Sequence, residues 1–358
     1  MAEFRAASTA GEPIVWPVDP ALIGLLHRRL AAEGIDLRDL LARCAREQGR
    51  RPPLQSPPVL GLADYFFLME RVACETGDET LLLSQRPLVA GTFHFVLSRT
   101  RRADTLADTL KDMADSFNYL HGGPYNTVAN RDGVIKYAID NTKFPYKERL
   151  SSAESNSLME CILILMHNLF SFICQTNLDD YLLAVWTKRK HDPDSPVPGH
   201  LGIFTQRICW GRPAYALLYK AEAGLLSPSV QLKDLPKPHA IYGVIASIIR
   251  ERESGGVWHR SWTGRVRAAL HRGCTSLEDV AAALHVAPRT LRRHLRSEGA
   301  RFRQLRAELT NERARLLLAQ GWSVDRVAED LGYADTRSFR RAFVSWNGMT
   351  PAAFRTRV

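Results

Sequence analysis

Two stretches near the carboxyl end of this 358-residue chain repeat one layout, and that repeat limits the fold more than any other feature. The first runs from Ser276 through Leu-Glu-Asp-Val-Ala-Ala-Ala to Leu284. It crosses His285, Val286 and Ala287, then continues as Pro288-Arg-Thr-Leu-Arg-Arg-His-Leu-Arg-Ser297. The second runs from Ser323 to Leu331, crosses Gly332, Tyr333, Ala334 and Asp335, and continues as Thr336-Arg-Ser-Phe-Arg-Arg-Ala-Phe343. Each opens on a serine, whose hydroxyl suits a helix N-cap, with acidic residues in the first turn at the positive end of the helix dipole. Ser276 and Asp279 have the spacing of a capping box. Leu277, Val280, Ala281 and Leu284 fall on one helical face, as do Val324, Val327, Ala328 and Leu331. The small Ala281 and Ala328 allow a second helix to cross closely. Turns of three to four residues are those of helix-turn-helix units, with Gly332 free to take positive φ and Pro288 suited to the first position of a helix.

The second helix of each pair carries the chemistry. Arg289, Arg292, Arg293 and Arg296 are spaced i, i+3, i+4, i+7 and make one stripe, with Leu291 and Leu295 opposite. Arg337, Arg340 and Arg341 repeat it, with Phe339 and Phe343 inward and Thr336 at the helix start. A guanidinium face fits the major groove, where Arg donates two hydrogen bonds to guanine or pairs with phosphate. A single such helix reads equally well as an amphipathic helix with a solvated basic face, but two with matching partners do not. Charge supports the same reading. Residues 258–358 hold 19 arginines, no lysine and 9 acidic residues, so they carry the whole net charge of +10, and residues 1–257 sum to zero. A neutral body with one basic end is built to meet a polyanion. Between the two units, Phe302–Gln320 reads as one long helix ended by Gly321. As a strut it would set two reading heads on successive major grooves, about 34 Å apart. Thr350 and Pro351 read as the start of a short closing helix.

From about Trp262 to Arg355 the chain resembles the DNA-binding domain of AraC/XylS-type bacterial transcription regulators. The likeness is carried by APRTLRRHLRSEG, by VAEDLGYADTRSFRRAFVSWNGMTPAAFR and by the strut between them. It implies that both second helices enter the major groove. Arg289, Arg292, Arg293 and Arg296, with Thr336, Arg337, Arg340 and Arg341, become the expected DNA-binding residues. His285 stands where the family usually has Gly, and Ala287 where a capping Ser is common.

The first two thirds read as an α+β region. Pro20–Arg29, Asp36–Glu47, Leu62–Thr76, Thr105–Leu120 and Ser155–Ile173 have helical period. Tyr125–Val128 and Gly133–Asp140 read as a hairpin; Gly202–Cys209 and Ala214–Lys220 read as further strands. The order, with Thr76-Gly77-Asp78 ahead of a long helix and hairpin, resembles the effector domain of the arabinose-binding-like AraC subgroup. That resemblance implies sensing and dimerisation without naming a ligand. The expected division is residues 12–230 for this α+β effector domain, 231–257 for a linker with the helix Ile241–Arg250, and 258–358 for an all-α DNA-binding domain. Its two helix-turn-helix units cover about 276–298 and 323–346.

No residue marks the effector site. Arg99, Arg101 and Arg102 could receive an anionic ligand or form a solvated loop, and Lys188-Arg-Lys-His191 has the same two readings. His94, His121, His167, His191 and His200 read as surface or satisfied core residues, and Tyr65, Phe66 and Phe67 as core. Six scattered cysteines (Cys44, Cys74, Cys161, Cys174, Cys209 and Cys274) form no CxxC and no metal-ligand spacing, so neither a metal nor a cofactor is implied. No apolar run reaches bilayer length, the best being Cys161–Cys174, and the N-terminus lacks a leader pattern. The expectation is a cytoplasmic, non-enzymatic regulator, more an activator than a repressor. Its partners would be double-stranded DNA, a small-molecule effector, a second copy of itself as a homodimer and, by resemblance, RNA polymerase, with no membrane. The rivals are an architectural DNA-binding protein that senses nothing and a DNA-repair enzyme fused to a reader.

Overall fold

The computed structural model describes residues 15–49, 59–100, 103–191, 198–230, 240–253, 262–271, 274–284, 286–297 and 299–357. Helix α1 (Pro20–Ala32) starts where the Asp19 carboxylate accepts the Ala21 N–H at 3.0 Å. Helix α2 (Leu37–Glu47) starts on Asp36, which accepts from Arg38 and Asp39. Helix α3 (Leu62–Thr76) ends on Gly77, whose φ of 68° is the left-handed conformation that suits glycine. Helices α4 (Thr92–Arg99) and α5 (Leu106–His121) follow, then strands β1 (Asn126–Arg131) and β2 (Val134–Ile139).

Helix α6 (Ser152–Cys174) begins three residues before the apolar period does. The reason is a full capping box: Ser151 Oγ accepts the Glu154 N–H, and the Glu154 carboxylate accepts the Ser151 N–H at 2.8 Å. By length and composition α6 could cross a bilayer, which the apolar-run reading did not anticipate. Here it is the central core helix, buried along almost all its length and packed on α1 and the sheet. Strands β3 (Leu182–Trp186), β4 (Arg207–Cys209) and β5 (Tyr215–Lys220) complete a five-stranded sheet of order β1-β2-β5-β3-β4. All its pairs are antiparallel except β3 with β4. The segment expected as strand from Gly202 is 3₁₀ helix over Gly199–Ile203 and strand only over Arg207–Cys209.

Helix α7 (Ala240–Glu253) falls in the expected linker yet belongs to the core of this α+β body. Ile241, Tyr242, Ile245, Ala246, Ile248 and Ile249 are all buried, and the helix lies along α3 and against α6. Between α3, α5, the β1–β2 hairpin, α6 and α7 lies a partly open cavity of about 150 Å³.

The remaining residues are helical: α8 (Trp262–His271), α9 (Leu277–Ala283), α10 (Pro288–Ser297), α11 (Phe302–Ala319), α12 (Val324–Asp330), α13 (Thr336–Asn347) and α14 (Pro351–Arg357). They make two small cores. Val266, Ala269, Val280, Ala281, Leu291 and Leu295 fill the first, with Leu305 of α11. Val327, Ala328, Phe339 and Phe343 fill the second, with Ala314, Leu317 and Leu318 of the same α11. One helix therefore contributes side chains to both clusters. It also meets the α+β body: Glu312 is buried there, 3.4 Å from the Ser227 N–H and 3.9 Å from Arg267.

Candidate nucleic-acid interface

Local chemistry fixes α9 and α10 as a packed pair. The Ser276–Asp279 capping box is complete: Ser276 Oγ accepts the Asp279 N–H, and Asp279 accepts the Ser276 N–H, both at 3.0 Å. Those hydrogen bonds hold the exposed Asp279 carboxyl below its ordinary value. Leu277, Val280 and Ala281 then face Leu291 and Leu295 of α10, both essentially inaccessible. Because Leu291 and Leu295 point inward, helical geometry turns Arg289, Arg292, Arg293 and Arg296 outward, and all four are exposed. Arg292 comes within 4.0 Å of Glu278, an exposed pair that contributes little. Trp262 of α8 stacks flat on His294, ring centres 4.2 Å apart, and closes the side of the cluster.

The second pair is built the same way with larger side chains. Ser323 Oγ accepts the Arg326 N–H to start α12, and Gly332 takes φ 74° in the turn. The sequence reading placed Asp335 in that turn. It is the N-cap of α13, accepting the Ser338 N–H and hydroxyl, both at 2.7 Å. Phe339 and Phe343 are fully buried, each in edge contact with another ring: Tyr333 on Phe339 and Phe354 on Phe343. Arg337, Arg340 and Arg341 are exposed as a result, and Thr336 is half-buried at the helix start. The two arginine ridges thus stand on separate helices, α10 and α13, whose inner faces both rest on cores that α11 shares.

A family model for a helix-turn-helix domain matches residues 280–357, which hold both arginine ridges. The C-terminal region is an AraC-type helix-turn-helix domain. The HTH-type transcriptional regulator VqsM of Pseudomonas aeruginosa is 43% identical over 81 residues, 22% of this chain and 25% of that protein. A urease operon transcriptional activator of Escherichia coli is 39% identical over 80 residues, 22% of this chain and 27% of that protein. The chain thus spans about a quarter of the length of these relatives. The solved structure of the transcriptional regulator CdpR from Pseudomonas aeruginosa aligns over 89% of this chain and 97% of its own at 22% identity. Its TM-score is 0.30, too low to equate the two arrangements.

Outside the AraC-type domain the other candidates separate. Arg99 is exposed at the end of α4, while Arg101 and Arg102, like His285, lie outside the described residues. The run from Lys188 is neither an anion patch nor a free loop. Lys188 pairs with Asp140 at 2.7 Å, and Arg189 grips Glu160 at 2.8 Å, with Asp19 at 3.3 Å. Glu160 also accepts from Thr187 and meets buried His200 at 3.0 Å. Burial alone would raise the Glu160 carboxyl, but His200 and Arg189 outweigh it and hold it below its ordinary value. His167 sits between the Tyr219 hydroxyl and the Asp179 carboxylate, each at 2.9 Å. Both histidines are core residues of a structural network, as expected. The buried Nδ1 of His200, like that of His121, has no hydrogen-bond partner. All six cysteines are free thiols, and Cys74 is exposed rather than buried.

Proposed function

We propose that the chain is a sequence-specific DNA-binding transcription regulator whose α+β body binds a small-molecule effector. The observation that carries this reading is the outward display of seven arginines on two helices rooted in cores that one continuous helix joins. In this reading α9–α10 and α12–α13 are two helix-turn-helix units, α11 is the strut between them, and α10 and α13 enter neighbouring major grooves. Arginine–phosphate contacts supply affinity and its salt dependence; Arg292, Arg341 and their neighbours on each ridge supply base choice. The proposed division keeps residues 12–230 as effector domain and 258–358 as reader, with α7 transferred from the linker to the effector core. A cytoplasmic homodimer acting on RNA polymerase, as an activator, completes the proposal and rests on the family resemblance.

Fluorescence anisotropy of the full chain on duplex DNA from upstream of its own gene tests the reading. Affinity falls about a thousandfold between 50 and 200 mM salt if the ridges engage phosphates as proposed. A flat salt response, or equal affinity for that DNA and a scrambled duplex, overturns it.

A further inference from the structure

We propose that the cavity of the α+β body is the effector site, and that it takes a compact, uncharged, largely apolar molecule presenting one hydrogen-bonding group to His121. That the occupant is an effector rests on the regulator reading above; that the cavity selects such a molecule does not.

Size comes first. A space of about 150 Å³ is far smaller than the roughly 300–1,000 Å³ that drug-sized ligands fill. An apolar space of this order accepts a benzene-sized guest. Phe66, Met69, Tyr137, Leu158, Leu165 and Met166 are the buried part of its lining. The partly exposed rings of Tyr125, Phe144 and Tyr146 also line it with His121, and Phe144 touches each of the other three rings at centroid distances of 4.7–5.1 Å. A flat aromatic guest can make edge and face contacts with such rings.

Charge comes second. The lining contains no Lys, Arg or Asp and a single carboxylate, Glu79. Glu79 is already committed, accepting the Gly91 N–H at 2.8 Å and the Phe93 N–H at 2.9 Å to start α4. An anion entering here would lose its hydration and meet no lining cation, a loss that neutral guests avoid.

Hydrogen bonding comes third. The polar side chains of the lining are largely paired with the protein itself. Asn126 bonds Asn118 and Tyr137, Asn141 bonds Tyr146 and Ser155, and Thr80 bonds Asp78. A sugar, with a hydroxyl on nearly every carbon, would find few partners. Among the described residues that line the cavity, His121 makes no hydrogen bond: its Nδ1 is closed off by burial, which leaves Nε2 as the atom a guest would meet. Burial pushes the His121 imidazole down to about 4, so at neutral pH the ring is uncharged and suits a neutral guest. One hydrogen-bonding group on a ligand, set against Nε2, would give this side chain the partner it lacks. Leu81, also in the lining, is held at φ 59°, a strained conformation for a side chain of its kind and one that collects at ligand sites.

The cavity also reaches the route to the DNA-binding domain. Tyr242 of α7 lines it, donates its hydroxyl proton to the Glu79 carbonyl at 3.0 Å and packs edge-on against Phe93. An occupant therefore touches the last described helix of the body before that domain.

The test uses the full chain with 4-fluorophenol, neutral at pH 7 with one hydroxyl, and 4-fluorobenzoate, an anion of nearly the same shape. Fluorine NMR titration reads occupancy, and thermal melting reads the fold. The expected result is saturable binding of 4-fluorophenol, with 4-fluorobenzoate weaker by about tenfold or more. Loss of one hydrogen bond in His121→Phe weakens 4-fluorophenol about tenfold. Leu158→Trp, which fills the space, abolishes binding while melting stays cooperative; Ile162→Phe replaces it if that variant does not fold. Absence of saturable binding, equal binding of the benzoate, or binding that survives both fillings overturns the proposal. Anisotropy on the same sample separates the two readings. DNA binding without probe binding sinks the cavity proposal alone; probe binding without DNA binding sinks the regulator reading alone.

Discussion

The α+β body and the helical end use the same charged residues in opposite ways. In the body, arginines are drawn inward into pairs: Arg189 with Glu160 and Asp19, and Arg252 with Asp179. The Asp179 carboxyl, which burial would raise, is held at about 2 by His167 and Arg252. The formal charges of residues 1–257 sum to zero. On α10 and α13 of the helical end, leucine and phenylalanine face inward and seven arginines are left outside, and the charges of that end do not cancel. The lesson is that arginine count alone does not mark a polyanion site. What marks it is arginine on the far side of a helix from a buried apolar seam.

Four measurements sharpen or break this contrast, taken from the largest effect. Glu160→Ala strands Arg189 and His200 and should lower unfolding free energy by about 3–5 kcal/mol. A denaturation loss under about 1 kcal/mol would mean that the network is ornamental. At the meeting of the two regions, burial raises Glu312 to about 7 from an ordinary 4.5, with Arg267 offsetting part of it. An acid raised in the folded state contributes stability that is full below 4.5 and is lost as pH rises through 7. The wild type should therefore weaken by up to about 3 kcal/mol over that window, and Glu312→Gln should not. Parallel curves for the two proteins would refute the assignment. Arg292→Ala and Arg341→Ala should each cost about 1–3 kcal/mol in DNA affinity and relax base preference, while stability moves by no more than about 0.5 kcal/mol. Equal loss on every sequence would show that they touch phosphate only. Smallest of all, Ser276→Ala removes one cap and should cost about 1 kcal/mol of stability, read by thermal melting.

The helical end was legible because its signals are local. Ser276 and Asp279, three residues apart, announce a helix start that the structure confirms, and Gly332 takes the positive φ that its turn required. Asp335 was missed as a cap although it adjoins its helix, because the turn was read as running through it. In the body the signals are distant. Helix α4 went unseen because its N-terminal N–H groups are satisfied by Glu79, more than ten residues upstream, and Gly91 offers no side-chain cap. Strand β3 went unseen because Leu182–Trp186 is a short apolar run whose partners, β4 and β5, come later in the chain. The cavity had no sequence signature at all, since Phe66, His121, Leu158 and Tyr242 meet only after folding. Apolar period identified the helix Ile241–Arg250, but not that its buried face would lock it onto α3.

A helix that belongs to two cores acts as a caliper. Leu305 is seated in one cluster, and Leu317 and Leu318 in the other, so neither jaw can turn about the rod without unseating its own hydrophobic filling. If the two ridges read neighbouring grooves as proposed, the tolerance for operator length resides in the duplex and not in the protein. Each inserted base pair turns the far contact by roughly 35° and shifts it by about 3.4 Å, and a jaw fixed by packed leucines has no slack to follow. On that reading, operators for this chain should accept base changes far more readily than insertions.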